Sequence, residues 1–155
     1  MSTCSLRTIV AGLVTAIPFL LAATAPPAAA QSARQQLAGQ WRCQAGIRDP
    51  QGRRMAAIWN YVILLYPNGG FRAQGLIQAG AVRSQFQAQG RWGVSRNGGQ
   101  WVLSAQGQQV VRHSTGYVTR GTFYSGGRLY SATAYGHNQR TPDGQLTSTT
   151  CRKVG

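Results

Sequence analysis

The chain has 155 residues, of which 16 are Lys or Arg, 2 are Asp or Glu and 2 are His, giving a formal charge of +14. Two carboxylates leave almost nothing for paired acid–base catalysis, and two imidazoles leave little for a metal centre. Such a surface attracts polyanions, although the cations are nearly all single arginines, with no run longer than Arg53-Arg54 or Arg152-Lys153.

The first segment reads as a leader. Arg7 supplies a positive start, "TIVAGLVTAIPFLLAATA" is an apolar run broken by Pro18, and Ala28-Ala29-Ala30 offers a small-x-small cleavage pattern. This predicts a cleaved secretory signal over residues 1–30 with the cut near Ala30, and a single domain over 31–155. The run is too short and interrupted for a comfortable span, so the expected product is periplasmic or secreted, without a transmembrane segment. Cys4 leaves with the leader. Cys43 and Cys151 remain, and an even pair in an exported chain reads as a disulfide. Its long loop would contribute at most about 4–5 kcal/mol in the chain-entropy model.

Beyond the leader, only Ser32–Leu37 has the character of a helical turn. Short β-rich runs follow, broken by "DPQG" (49–52), "PNGG" (67–70), "RNGG" (96–99), "SGGR" (125–128) and "PDGQ" (142–145), all hairpin-type turns, with "QAGAV" (78–82) and "QGQQ" (106–109) as weaker ones. "AIWNYVILLY" (57–66) is apolar on both faces. "FRAQGLIQ" (71–78) and "VRSQFQAQGRWGV" (82–94) alternate, with Phe71, Ala73, Ile77, Phe86, Ala88 and Trp92 on one face and Arg or Gln on the other. "QWVLSA", "QVVRHS", "GYVTRGTFY", "RLYSATAY" and "QLTSTTCRK" complete eight or nine strands joined by short turns, hence antiparallel. A bridge from the first strand to the last brings them together, which closes an up-and-down barrel of about eight strands.

Gly39-x-Trp41 opening the first strand of a small exported meander resembles lipocalins and their calycin relatives, avidin-like proteins included. "YPNGGFRAQG" and "AQGRWGVSRNGGQWVLS", with a second Gly-x-Trp at Gly90 and Trp92, are similar to phrases of small bacterial lipocalin-like domains. The Thr-Asp-Tyr signature of lipocalins is absent, and "YGHNQRTPDG" does not match their C-terminal helix. The resemblance implies a closed barrel, all-β and lipocalin/avidin-like, in which Gly39 and Trp41 form the floor. It also implies a cation from the last strand over the Trp41 ring. A register with Cys43 facing Cys151 puts Lys153 opposite Trp41, with Arg152 one step away. Trp92 is expected to hold a second, internal packing position.

No cofactor, metal site or catalytic residue is expected, and the chain does not read as an enzyme. Asp49 and Asp143 sit beside prolines in turns, and no buried acid is available to orient His113 beside Ser114. Trp41-Arg42, Phe71-Arg72 and Arg91-Trp92 pair rings with cations, but strand neighbours point to opposite faces, so no specific nucleic-acid site is expected. The primary reading is a monomeric, exported, non-enzymatic barrel that binds a small apolar ligand or lipid. Trp59, Tyr61, Ile63, Phe71, Phe86 and Trp101 are its candidate ligand residues, and Trp41, Ile77, Trp92 and Leu103 share the inner face. The alternative is a periplasmic interaction or inhibitor protein whose basic surface binds an anionic envelope partner or an enzyme.

Overall fold

The computed structural model describes residues 28–48, 55–140 and 145–154. Most of the leader, and the "DPQG" and most of the "PDGQ" turns, lie outside the described residues. Helix α1 (Ala28–Leu37) precedes strands β1 (Gly39–Arg48), β2 (Met55–Leu65), β3 (Gly70–Ala79), β4 (Val82–Asn97), β5 (Gln100–His113), β6 (Val118–Ser131), β7 (Ala134–Arg140) and β8 (Leu146–Lys153). Each strand pairs antiparallel with the next, and β8 returns to β1, so the described strands form one closed barrel. The expected fold class is the observed one. An up-and-down barrel of this kind is consistent with a lipocalin-like architecture.

Alternation explains the wall. In β4, Ser84, Phe86, Ala88 and Trp92 are buried while Arg83, Gln85, Gln87, Gln89 and Arg91 are exposed, so a period of two sends rings inward and long polar chains outward. β1 and β2 follow the same rule. Trp41, Cys43, Tyr61, Ile63 and Leu65 are buried, and Arg42, Gln44, Asn60 and Leu64 face out.

Three expectations need correction. "QGQQ" and "SGGR" are not turns but lie inside β5 and β6. Glycine there serves close approach between strands: a side chain on Gly107 would collide with the Gln89 carbonyl, and one on Gly127 with the Gly136 carbonyl. The reversal between β6 and β7 falls instead at Ala132-Thr133, where Ser131 accepts the Thr133 amide at 3.1 Å. The helix is also longer than a single turn. It begins at Ala28, so the anticipated cut near Ala30 falls within it.

At the floor, Leu37 at the end of α1 is buried, and its carbonyl accepts the Trp41 indole at 2.9 Å. Val154 donates its amide to the Gln40 carbonyl at 2.8 Å, so the start of β1 and the end of β8 lie side by side. The β3–β4 and β5–β6 turns, with the last residues of β1 and β7, lie at the opposite, open end.

Candidate functional site

The apolar-ligand reading depends on the inner wall. Tyr61 meets Phe86 and Phe123 edge-on with ring centroids 5.8 Å apart, and Phe71 and Phe86 pack on Phe123 at 5.4 and 5.8 Å. These rings come from β2, β3, β4 and β6 and meet across the barrel, filling its middle with aromatic carbon. Of the six candidate ligand residues, Tyr61, Ile63, Phe71 and Phe86 belong to this packed core. Trp59 lies half-buried nearer the open end, between Ala45 and Ile77 in register. Trp101 lies near the tip of the β4–β5 hairpin with the Arg96 guanidinium 5.0 Å from its ring, outside the core cluster.

Below the rings runs a chain of hydroxyls that the sequence pattern did not signal. Tyr61 bonds Ser125 at 2.8 Å, Ser125 bonds Tyr135 at 3.1 Å, and the Tyr135 hydroxyl lies 3.6 Å from Cys43 Sγ. Cys43 is bonded to Cys151, with Cα atoms 4.1 Å apart, so its sulfur has no proton to give. Tyr135 must therefore donate to sulfur, Ser125 to Tyr135, and Tyr61 to Ser125. The protons all point one way. Burial pushes the Tyr61 hydroxyl up to about 12, opposed by the Ser125 hydrogen bond. Burial pushes Tyr135 higher still, with the charges that Tyr61 and Tyr124 would carry adding to it and the Ser125 hydrogen bond opposing it. Both phenols stay neutral and act as structural donors rather than as acids or bases.

The register anticipated from the cysteines is present: Cys43 faces Cys151, Trp41 faces Lys153 and Arg42 faces Arg152. The cation expected over Trp41 is elsewhere. Lys153 Nζ donates to the Gln36 carbonyl at 2.6 Å, at the C-terminal end of α1, where a positive charge suits the helix dipole. The Trp41 ring packs against Tyr135 at 5.1 Å. It is the second tryptophan that a cation approaches, with the Arg34 guanidinium of α1 5.9 Å from the Trp92 centroid.

Toward the open end, His113 accepts or donates at both ring nitrogens, to Ser84 and Thr119 at 3.0 Å each, and stacks on Tyr117 at 4.3 Å. Both nitrogens are engaged within the chain. Among the described residues no three of His, Cys, Asp and Glu lie together.

The outer wall offers the larger depressions. Cross-strand register lines its side chains into rows that run round the barrel. One contains Thr150, Gln44, Asn60, Leu76, Gln85 and Arg112; the next contains Arg152, Arg42, Val62, Gln74, Gln87 and Val110. Successive rows are two residues apart along each strand, about 7 Å. The furrow between these two holds about 840 Å³ of open volume, floored by strand backbone. A neighbouring furrow of about 1130 Å³ reaches Arg72, Gln89, Gln108 and Arg120. Both acids of the chain, Asp49 and Asp143, lie outside the described residues.

The chain matches no protein-family model and no curated protein. A bonded cysteine pair fits an extracellular or periplasmic setting, and no described helix is long and apolar enough to cross a membrane.

Proposed function

We propose that this protein is an exported, non-enzymatic, lipocalin-like binding barrel that engages an anionic envelope partner through its outer wall. One contrast carries the reading. The interior is filled through its middle by mutually packed rings, whereas the exterior is furrowed and arginine-bearing in a chain with 16 Lys or Arg against 2 Asp or Glu. Glutamine and arginine rows can hydrogen-bond an acidic polymer over many contacts, each weak alone. The test is retention on immobilised acidic and neutral polymers across a salt series. Binding to the acidic supports should fall steeply with ionic strength, because exposed charges are screened beyond about 8–10 Å. Equal retention on neutral supports, or none on either, overturns the reading.

A second reading keeps a small apolar ligand at the open end. Half-buried Trp59, with Ala45 and Ile77 beside it on the inner face, favours it. A co-purified lipid detected by native mass spectrometry, together with a shift of Trp59 fluorescence on its removal, would move the function inside.

A further inference from the structure

Resting on the outer-wall reading, we infer that the seam between β8 and β1 is a docking site for an acidic polysaccharide, a chain of sugar rings bearing carboxylates. Arg42 and Arg152 stand directly opposite one another on adjacent strands, both exposed, at one end of the furrow. Like charges so placed destabilise a sheet. The strands are already fixed here by the disulfide one residue away, so the pair is held together in spite of its repulsion. Two guanidiniums presented side by side suit a carboxylate, which each can grip through paired N–H groups.

The surroundings select the class of polyanion. Tyr130 is 67% exposed, and its ring edge lies over Gly136, 3.3 Å from where a side chain on that glycine would begin. Gly136 is the register partner of Thr150, and Ala134 is that of Arg152, so the outer wall beside the arginines is low, with the exposed Tyr130 ring against it. An apolar ring face suits the C–H face of a sugar. Further along the furrow, Gln74 and Gln87 present amides that both donate and accept, and Gln44, which donates Nε2 to Asn60 Oδ1 at 3.2 Å, leaves its own oxygen and the Asn60 nitrogen to do the same. Sugar hydroxyls also do both, whereas phosphodiesters only accept and would leave the amide carbonyls unmatched. The two aromatic residues along this furrow, Tyr61 and Phe86, bury their rings in the core, so they form no series of platforms of the kind single-stranded nucleic acids use. The apolar side chains there, Val62, Leu76 and Val110, are interspersed with polar ones rather than gathered into a membrane-inserting face.

The test measures binding of the intact exported protein to polygalacturonate, polyphosphate, neutral dextran and phosphatidylglycerol vesicles at one ionic strength. Polygalacturonate should bind tightest. The Arg42→Gln/Arg152→Gln double variant should weaken it by about tenfold. Arg72→Gln/Arg83→Gln, which removes the same charge from exposed sites on β3 and β4, should weaken it by less than about threefold. Tyr130→Ala should weaken polygalacturonate about threefold and leave polyphosphate unchanged, with Tyr130→Phe restoring the sugar polymer. Equal losses from the two double variants, or tighter binding to polyphosphate or to vesicles, overturn the seam site while leaving a basic binding wall intact. Absence of binding to every polyanion removes both proposals. All five substituted positions are exposed or lie at the wall surface, and an unchanged melting temperature separates lost binding from lost fold.

Discussion

The two Gly-x-Trp sites look alike in the sequence and differ in the fold. Trp41 and Trp92 each donate an indole N–H to a floor carbonyl, that of Leu37 in α1 at 2.9 Å and that of Tyr66 in the β2–β3 turn at 2.8 Å. Each tryptophan thus ties one covering segment to the barrel. Their glycines act for unrelated reasons. Gly39 has φ of +127°, a backbone conformation that side chains resist, and lets the chain bend from helix into strand. Gly90 instead has no room for a side chain, because β5 presses on it at Gln106 and Gly107. The first site is set by direction, the second by proximity. One three-residue pattern has been reached through two physical constraints.

Truncating the rings probes the shared part of that comparison and should have the largest effect. Trp41→Ala is expected to destabilise by about 3–5 kcal/mol in chemical denaturation, because it removes a fully buried ring and its hydrogen bond together. Trp92→Ala should fall in the lower part of that range, since Arg34 and the turn can settle into the space. A larger loss at Trp92 than at Trp41 would reverse the ranking of the two floor sites.

Reduction of the disulfide sharpens the contrast, because only the first site lies beside it. Cys43→Ala/Cys151→Ala should cost about 2–5 kcal/mol. Hydrogen exchange should rise first at β1 and β8, with the Trp92 region retained. Uniform loosening would mean that the seam does not support the first site in particular.

Alkaline pH tests the hydroxyl chain that reaches the disulfide. Tyr61 has its folded value raised to about 12 from an ordinary 10, so the folded state holds its proton longer than the unfolded state. That contribution is fully present below about pH 10 and is lost as pH rises toward 12, on the order of 2–3 kcal/mol for this one group. Tyr61→Phe should flatten the melting-temperature profile between pH 10 and 12; an unchanged slope would remove Tyr61 as its source.

The smallest effect belongs to the cation that did not reach Trp41. Lys153→Ala loses one partly exposed contact to the helix end and should cost under about 1 kcal/mol. A loss comparable to that of Trp41→Ala would show that α1 depends on the lysine rather than on the indole bond.

The wall of this barrel was legible because its information is local. Period-two alternation from Val82 to Val94 fixes which face each residue takes, and once Cys43 and Cys151 are opposed, Trp41 must face Lys153. The "PNGG" and "RNGG" turns were legible for the same reason. What escaped depended on contacts between distant segments. Gly107 and Gly127 resemble turn glycines until the neighbouring strand is in place, and Arg34 meets Trp92 only after α1 docks. Candidate sites fared unevenly: alternation identified inward rings but not whether they leave a hollow, since Phe123 arrives from β6 to fill it. Ser125 and Tyr135, which complete the hydroxyl chain, carry no motif.

The covalent seam also decides how the domain responds to a pull on its ends. The barrel's first and last strands meet at the floor, where Val154 bonds Gln40, Lys153 faces Trp41 and Arg152 faces Arg42 before the bridge is reached. Tension drawn between them must break these pairs together with those of Gln40, Trp41 and Arg42 to β2 and of Arg152 to Ala134, releasing roughly 20 Å of chain at about 3.4 Å per residue. It then meets the Cys43–Cys151 bond, which shunts the load past the 108-residue span that it closes. Strands β2 to β7 lie wholly within that span and then bear no tension. Arg42 and Arg152 lie outside it, so a partner gripped at the seam would be released as the protein is stretched, while one held farther round the wall would stay bound.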